Sequence, residues 1–151
     1  PLEYIHNEIG YNYRITNIQA AMGCAQMEHL DDYVAAKRRI STEYTQSFTD
    51  VPGIIPMLEA DWAFSVFWMY TIRIDSNEYG KGSRELLDSL AKANIQTRPL
   101  WQPLHKSPAH QVCQAYHCDV AERLTREVLS LPSSVGLSKD QQMRVIDQIS
   151  R

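Results

Sequence analysis

Two short segments of this chain concentrate side chains able to bind polar ligands. The first is His6-Asn7-Glu8-Ile9-Gly10-Tyr11-Asn12-Tyr13-Arg14. It places an amide and a guanidinium just ahead of a helix start at Thr16 or Asn17. Free backbone N–H groups at a helix start and the fork of guanidinium donors suit an anion such as phosphate or carboxylate. The same residues also fit a plain polar arm with a surface arginine. The second segment is Thr97-Arg98-Pro99-Leu100-Trp101-Gln102-Pro103-Leu104-His105. Its prolines stiffen it, Trp101 offers a flat apolar face, and His105 can donate or accept near neutral pH. These two residues could line a pocket; alternatively, Trp101 pins the loop into the core. Cys113, His117 and Cys118, with His110 nearby, do not have a usual zinc spacing, and no second ligand pair follows. The chain has no Gly-rich phosphate loop, nucleophile elbow or His-Glu-x-x-His motif.

The elements that must carry these segments follow from periodicity. Ile18, Met22 and Ala25, flanked by Ala20, Cys24, Met27 and Leu30, give a helix over 17–30 with a wide apolar arc, expected to be buried on more than one side. Cys24 then belongs to the core, and His29 is an ordinary helix residue. Asp31-Asp32 opens a second helix whose Tyr33, Ile40, Tyr44 and Phe48 share a side. Lys37-Arg38-Arg39 is expected on its solvated face. Val51-Pro52-Gly53 ends it. Residues 66–74 alternate as a strand with Val66, Trp68, Tyr70, Ile72 and Ile74 on one face. Asn77–Gly82 is a turn, and Ser83 caps a helix with Leu86, Leu87 and Leu90 inward. Asn94 is a left-handed stop before a short strand over 95–98. Residues 99–117 form a long loop, a length often tied to function. Asp119 with Glu122 caps a helix bearing Val120, Leu124 and Val128. A strand over 129–131 precedes Pro132. Ser138 with Gln141 caps a last helix, with Met143, Ile146 and Ile149 completing the core. Four or five helices and about three short strands make one α/β layered domain behind a long helical arm.

Composition narrows the function. The chain has 151 residues, 44% of them hydrophobic and 22% charged, which suits one globular domain. A net charge of -3 argues against a general nucleic-acid binder. No apolar run nears the roughly 20 residues of a membrane span. The 3 cysteines cannot all pair, and no secretory leader is seen, so a cytoplasmic setting is expected. The chain opens Pro1-Leu2-Glu3 without an initiator methionine, so further sequence is expected upstream.

Both polar segments, in order, resemble the DegT/DnrJ/EryC1/StrS family of pyridoxal-phosphate sugar aminotransferases. The stretches that carry the resemblance are Gly10-Tyr11-Asn12-Tyr13-Arg14, Asn17-Ile18-Gln19-Ala20-Ala21, Gln26-Met27 with Leu30-Asp31, and Lys37-Arg38-Arg39. Further on are Tyr70-Thr71-Ile72-Arg73, Ser83-Arg84, Ile95-Gln96-Thr97-Arg98-Pro99, Pro103-Leu104-His105 and Leu129-Ser130-Leu131-Pro132. The resemblance covers the C-terminal part of such a protein. It implies the small α/β domain of a fold-type I aminotransferase, a small mixed or antiparallel sheet packed with helices. Residues 1–50 would be the arm and long helices bridging to a large domain, and residues 51–151 the small domain.

By that resemblance the protein is a homodimer using pyridoxal 5'-phosphate, glutamate and a nucleotide-linked 4-keto-6-deoxy sugar, for surface polysaccharide or glycan biosynthesis. UDP-linked N-acetyl sugars come first as substrates and GDP-perosamine second. Asn12 would reach the cofactor phosphate of the other subunit, with Arg14 near it as an anion contact. Tyr11, Trp101 and His105 would face the substrate. Lys37, Lys81, Lys92, Lys106 and Lys139 do not match the family's Schiff-base lysine motif. No catalytic residue and no metal is expected in this chain, which should not transaminate alone. A dehydratase of the same family and a non-catalytic interaction module are the alternatives. Helix 17–30 should look under-buried if its partner domain is absent.

Overall fold

A computed structural model of the chain describes every residue except Pro1, Leu2, Tyr4, His6, Asn12 and Tyr13. Asn12, expected to serve a phosphate, thus lies outside the described residues.

The chain enters through an exposed arm into helix α1 (Asn17–Met27). Thr16 caps it: its hydroxyl accepts from the Gln19 amide while the Gln19 side chain accepts from the Thr16 amide. No α1 residue is buried, and Ile18 is 75% and Met22 64% exposed. The expected multi-sided burial is therefore absent within these residues, and Cys24 is exposed, not core. Among the described residues nothing buries the apolar arc, the under-burial anticipated for a helix without its partner surface.

A short turn leads into α2 (Leu30–Phe48), with His29 as N-cap instead of a helix residue. Asp31 and Asp32 sit in its first turn, where the positive end of the helix dipole favours them. Only its C-terminal half enters the core, through Ile40, Tyr44 and Phe48. Gly53, at φ 72°, turns the chain into β1 (Ile54–Pro56). A Cβ there would strike Tyr79 N and Asp75 O, so glycine is required for space as well as conformation.

Strand β2 spans Tyr70–Ile74, not 66–74. Phe67 adopts a φ of 44°, which breaks the alternation: Phe67 turns inward while Val66 and Trp68 face out. Where a turn was expected, α3 (Ser76–Tyr79) is a single helical turn closed by left-handed Gly80. Helix α4 (Ser83–Lys92) has Gly82 at its N-cap, with Glu85 accepting from the Gly82 amide. Ser83 is instead buried and donates to Arg126 O. Asn94 takes the left-handed stop at φ 56°.

The expected strand over 95–98 shrinks to β3 (Arg98–Pro99). Proline has no N–H to extend it. The 99–117 loop contains two 3-10 turns, Leu104–Lys106 and Pro108–His110. Helix α5 (Asp119–Glu127) lacks the anticipated side-chain cap: Cys118, not Asp119, is its N-cap, and Glu122 is engaged by His105 and Lys106. Val128 leaves the helix to begin β4 (Val128–Leu131). Helix α6 (Lys139–Ile149) carries the expected Ser138–Gln141 box. Val145, Ile146 and Ile149 are buried, whereas Met143 is exposed.

The four strands form one sheet in the order β1-β2-β4-β3, with every pairing antiparallel. Tyr70, Ile72, Ile74, Leu129 and Leu131 meet Ile40, Tyr44 and Phe48 of α2 and the inner faces of α4 and α6. Tyr44 sits at the centre, stacked between Tyr70 and Phe48, its hydroxyl donating to Pro132 O at 2.9 Å. Gln142 is buried and donates to Ile40 O at 2.8 Å, fastening α6 to α2. The architecture is thus a small antiparallel sheet packed with helices behind a helical arm. Among the described residues no helix is long and apolar enough to cross a membrane.

Candidate functional site

Trp68 precedes β2, and Trp101 follows β3, the strands on either side of β4. Their rings stack with centroids 5.9 Å apart at 10°. With Met69, Arg98 and Pro99 they line a cleft of about 330 Å³. Trp68 is 68% and Trp101 43% exposed, so the reading in which Trp101 pins the loop into the core does not hold. A sandwich around a planar ligand would need roughly twice a single aromatic contact, and this pair already lies within the 4.5–7 Å range of one contact. A ring bound here therefore lies against the pair, not between its members.

The basic run on α2 is built into this wall. Lys37 Nζ donates to Trp68 O at 2.8 Å and also to Ser133 O. Burial lowers the Lys37 pKa. Arg38 forks onto both oxygens of Glu59, at 2.8 and 3.0 Å, donates to Ser65 O, and lies over the Phe64 ring. The hydrogen bond from Arg38, helped by the Ser65 amide, pulls Glu59 down to about 2. The expectation of a solvated Lys37-Arg38 face is thus corrected: both cations are drawn in by carbonyls of the segment leading to Trp68. Arg39 remains exposed.

His105 lies in the 3-10 turn beyond Trp101, with Nε2 2.9 Å from Glu122 Oε1. Lys106 reaches the same oxygen at 3.1 Å. The His105 contact, and then that of Lys106, holds the Glu122 carboxyl below its ordinary pKa. His105 therefore anchors the loop to α5. Tyr11 and Arg14 are exposed on the arm before α1, and Arg14 has no ion-pair partner among the described residues. Glu3 pairs with Arg84 at 3.0 Å, which brings the start of the arm onto α4.

Trp68 was not singled out from the sequence, because period-two reading placed it on the inner face of a longer strand. The cation at Lys37, one helix away, carries no local signal of its target. A second cleft of about 480 Å³ shares Met69 and Arg98 with the first. Thr97 Oγ1 and Ser130 Oγ, on residues lining it, are buried without a hydrogen-bond partner among the described residues. Among the described residues no group of three His, Cys, Asp or Glu side chains could hold a metal.

Comparison with known proteins gives this cleft its context. The model of the DegT/DnrJ/EryC1/StrS aminotransferase family matches residues 2–150. EpsN of Bacillus subtilis (strain 168), assigned to the pyridoxal phosphate-dependent aminotransferases, is 37% identical over 150 residues, covering 97% of this chain and 38% of that protein. GDP-perosamine synthase of Escherichia coli O157:H7 is 34% identical over 148 residues, covering 98% of this chain and 39% of that protein. The crystal structure of DesV from S. venezuelae superposes with a TM-score of 0.81 at 29% identity, over 97% of this chain and 39% of that one. The chain thus spans under two-fifths of the length of these relatives. With a family model matched across nearly every residue and the fold shared, the chain belongs to the DegT/DnrJ/EryC1/StrS family of pyridoxal-phosphate-dependent aminotransferases.

Proposed function

We propose that this chain forms the substrate-facing part of a cytoplasmic, homodimeric aminotransferase that moves an amino group from glutamate to a nucleotide-linked 4-keto-6-deoxy sugar for surface polysaccharide or glycan biosynthesis. The observation that carries this reading is the exposed Trp68–Trp101 stack beside Arg98, on a chain of this family. Indole faces bind the C–H face of a sugar ring or the π-face of a base. An adjacent guanidinium favours the anionic diphosphate that links them. GDP-perosamine synthase among the relatives supports a sugar-nucleotide substrate.

Pyridoxal phosphate supplies the electron sink for amino transfer when bound. The residues present fit its phosphate end: Arg14 is an exposed guanidinium without an ion-pair partner among the described residues, and Asn12 is two positions away. In this reading both serve the phosphate held by the other subunit, Tyr11 and Trp101 contact substrate, and His105 keeps the Trp101 loop in place.

The lysines described here are not suited to hold the cofactor's aldehyde. Lys37 is committed to two carbonyls, Lys106 pairs with Glu122, and Lys81, Lys92 and Lys139 are exposed. A reactive amine needs desolvation or a nearby cation to lower its pKa. The Schiff-base lysine is therefore placed elsewhere in the whole protein.

The test is steady-state kinetics of the whole protein with glutamate and GDP- or UDP-4-keto-6-deoxy sugars. Loss of one stacked ring at about 1–3 kcal/mol predicts that Trp101→Ala raises KM for the sugar nucleotide by roughly 5- to 150-fold, with kcat little changed. Arg14→Ala should weaken cofactor retention on dialysis. An unchanged KM in Trp101→Ala would remove the assignment.

A further inference from the structure

Trp68 owes its place to a residue far from it in sequence. It follows a segment whose Leu58, Trp62 and Phe64 are exposed, which Arg38 clasps at Glu59 and Ser65 and which Phe67 ties to the core. The Trp68 carbonyl itself is held by Lys37, whose ammonium bridges Trp68 O and Ser133 O. One cation thereby joins α2, the entry to β2 and the exit from β4. The Trp101 loop is held from the other side by His105, whose Nε2 lies 2.9 Å from Glu122 Oε1 of α5.

We propose that Trp68 is a ligand-contacting wall of the cleft and that Lys37 is the positioning residue that holds it. The ligand half rests on the sugar-nucleotide reading above, and the positioning half does not. Lys37 is not among the residues that line the cleft. Its neighbour Arg38 secures the preceding turn through Ser65 O and Glu59, but makes no hydrogen bond to Trp68. Removing the Lys37 donors frees Trp68 to leave Trp101 while the Ile40–Tyr44–Phe48 face keeps α2 in place.

Two indoles in contact couple excitonically, and a twist between their transition moments within the stacked planes gives a couplet in far-ultraviolet circular dichroism, which reads the stack without any ligand. The couplet should be present in the unmodified protein and lost in Trp68→Ala and Trp101→Ala. It should be lost in Lys37→Met and recovered in Lys37→Arg, with the helical signal intact. Lys37→Gln is the second variant, with the same expected loss, should Lys37→Met fold poorly. Arg39→Met, at an exposed neighbour, should leave the couplet unchanged. Binding is then read on the whole protein by fluorescence titration with GDP-mannose and UDP-N-acetylglucosamine as probes. Trp68→Ala and Lys37→Met should each weaken binding of at least one probe tenfold or more. A full couplet in Lys37→Met or Lys37→Gln overturns the positioning role. Wild-type affinity in Trp68→Ala overturns the ligand contact, and if Trp101→Ala also binds normally the sugar-nucleotide reading of the cleft falls with it.

Discussion

Glu59 is the anchor of the segment between β1 and Trp68, and its carboxylate is matched to a specific fork. Arg38 and the Ser65 amide both favour the charged form, which lowers the folded-state pKa from an ordinary 4.5 to about 2. A depressed carboxylate stabilises the fold above its unfolded pKa and loses that contribution as pH falls through the folded value. Stability should therefore decline between pH 4.5 and about 2 more in the parent than in Glu59→Gln, a difference visible in thermal melts across that range. Parallel curves would show that the pair contributes nothing to folding. Gly53 is a second residue whose identity is forced. The left-handed conformation costs a β-carbon roughly 1–2 kcal/mol and overpacking a further 1–3, so Gly53→Ala should destabilise by about 2–5 kcal/mol in urea denaturation. Tyr44 combines aromatic packing with a hydrogen bond. Tyr44→Phe should cost about 1–3 kcal/mol, because Pro132 O then lacks its donor.

At the scale of elements, α1 behaves unlike the others. Its exposed Ile18, Met22 and Met27 touch no core, so Met22→Glu should change the stability of this chain by no more than about 0.5 kcal/mol. The same change should lower the assembled fraction of the whole protein in sedimentation, if α1 packs against a second copy. The elements with strong periodicity were readable in advance: α2 from Ile40, Tyr44 and Phe48, α4 from its leucines, and α6 from its capping box. Asn94 and Gly53 announced their turns by residue type. Positions where local and tertiary preferences compete were not readable. Val66 to Met69 alternates like a strand, yet Phe67 is pulled inward and Trp68 outward by contacts far along the chain. Lys37 and Arg38 look like a solvated charge run because their partners, the Trp68, Ser133 and Ser65 carbonyls and the distant Glu59 carboxylate, are not displayed by sequence pattern. Glu122 looked like a cap and became an anchor for His105. Of the candidate site, Trp101 was found by residue type and its loop context, whereas Trp68 could come only from three-dimensional proximity.

For the whole molecule, the proposed activity depends on groups distributed along a longer protein. Incubating this 151-residue chain with pyridoxal phosphate and borohydride should fix no stoichiometric label, whereas the whole protein should retain one cofactor at a single lysine. Specific labelling of Lys37 or Lys106 in the isolated chain would contradict the assignment of these residues to structural contacts. The ordering of the sheet matters here as well. β2 and β3 flank β4, so the Trp68 segment and the Trp101 loop, separated in sequence by α3 and α4, are made neighbours by a strand that neither adjoins in sequence.

The continuous helix α2 sets a mechanical relation between the arm and the cleft. Nineteen residues of α-helix give a strut roughly 28 Å long. Its far end turns directly into α1, while its near end is clamped into the sheet and its Lys37 holds Trp68. The separation of the α1 turn from the tryptophan wall, seven residues of helix from Leu30 to Lys37 or roughly 10 Å, is therefore set by helix rise and not by the slack of a linker. Whatever seats itself on α1 is placed at a defined span from the cleft, as a ruler fixes two marks.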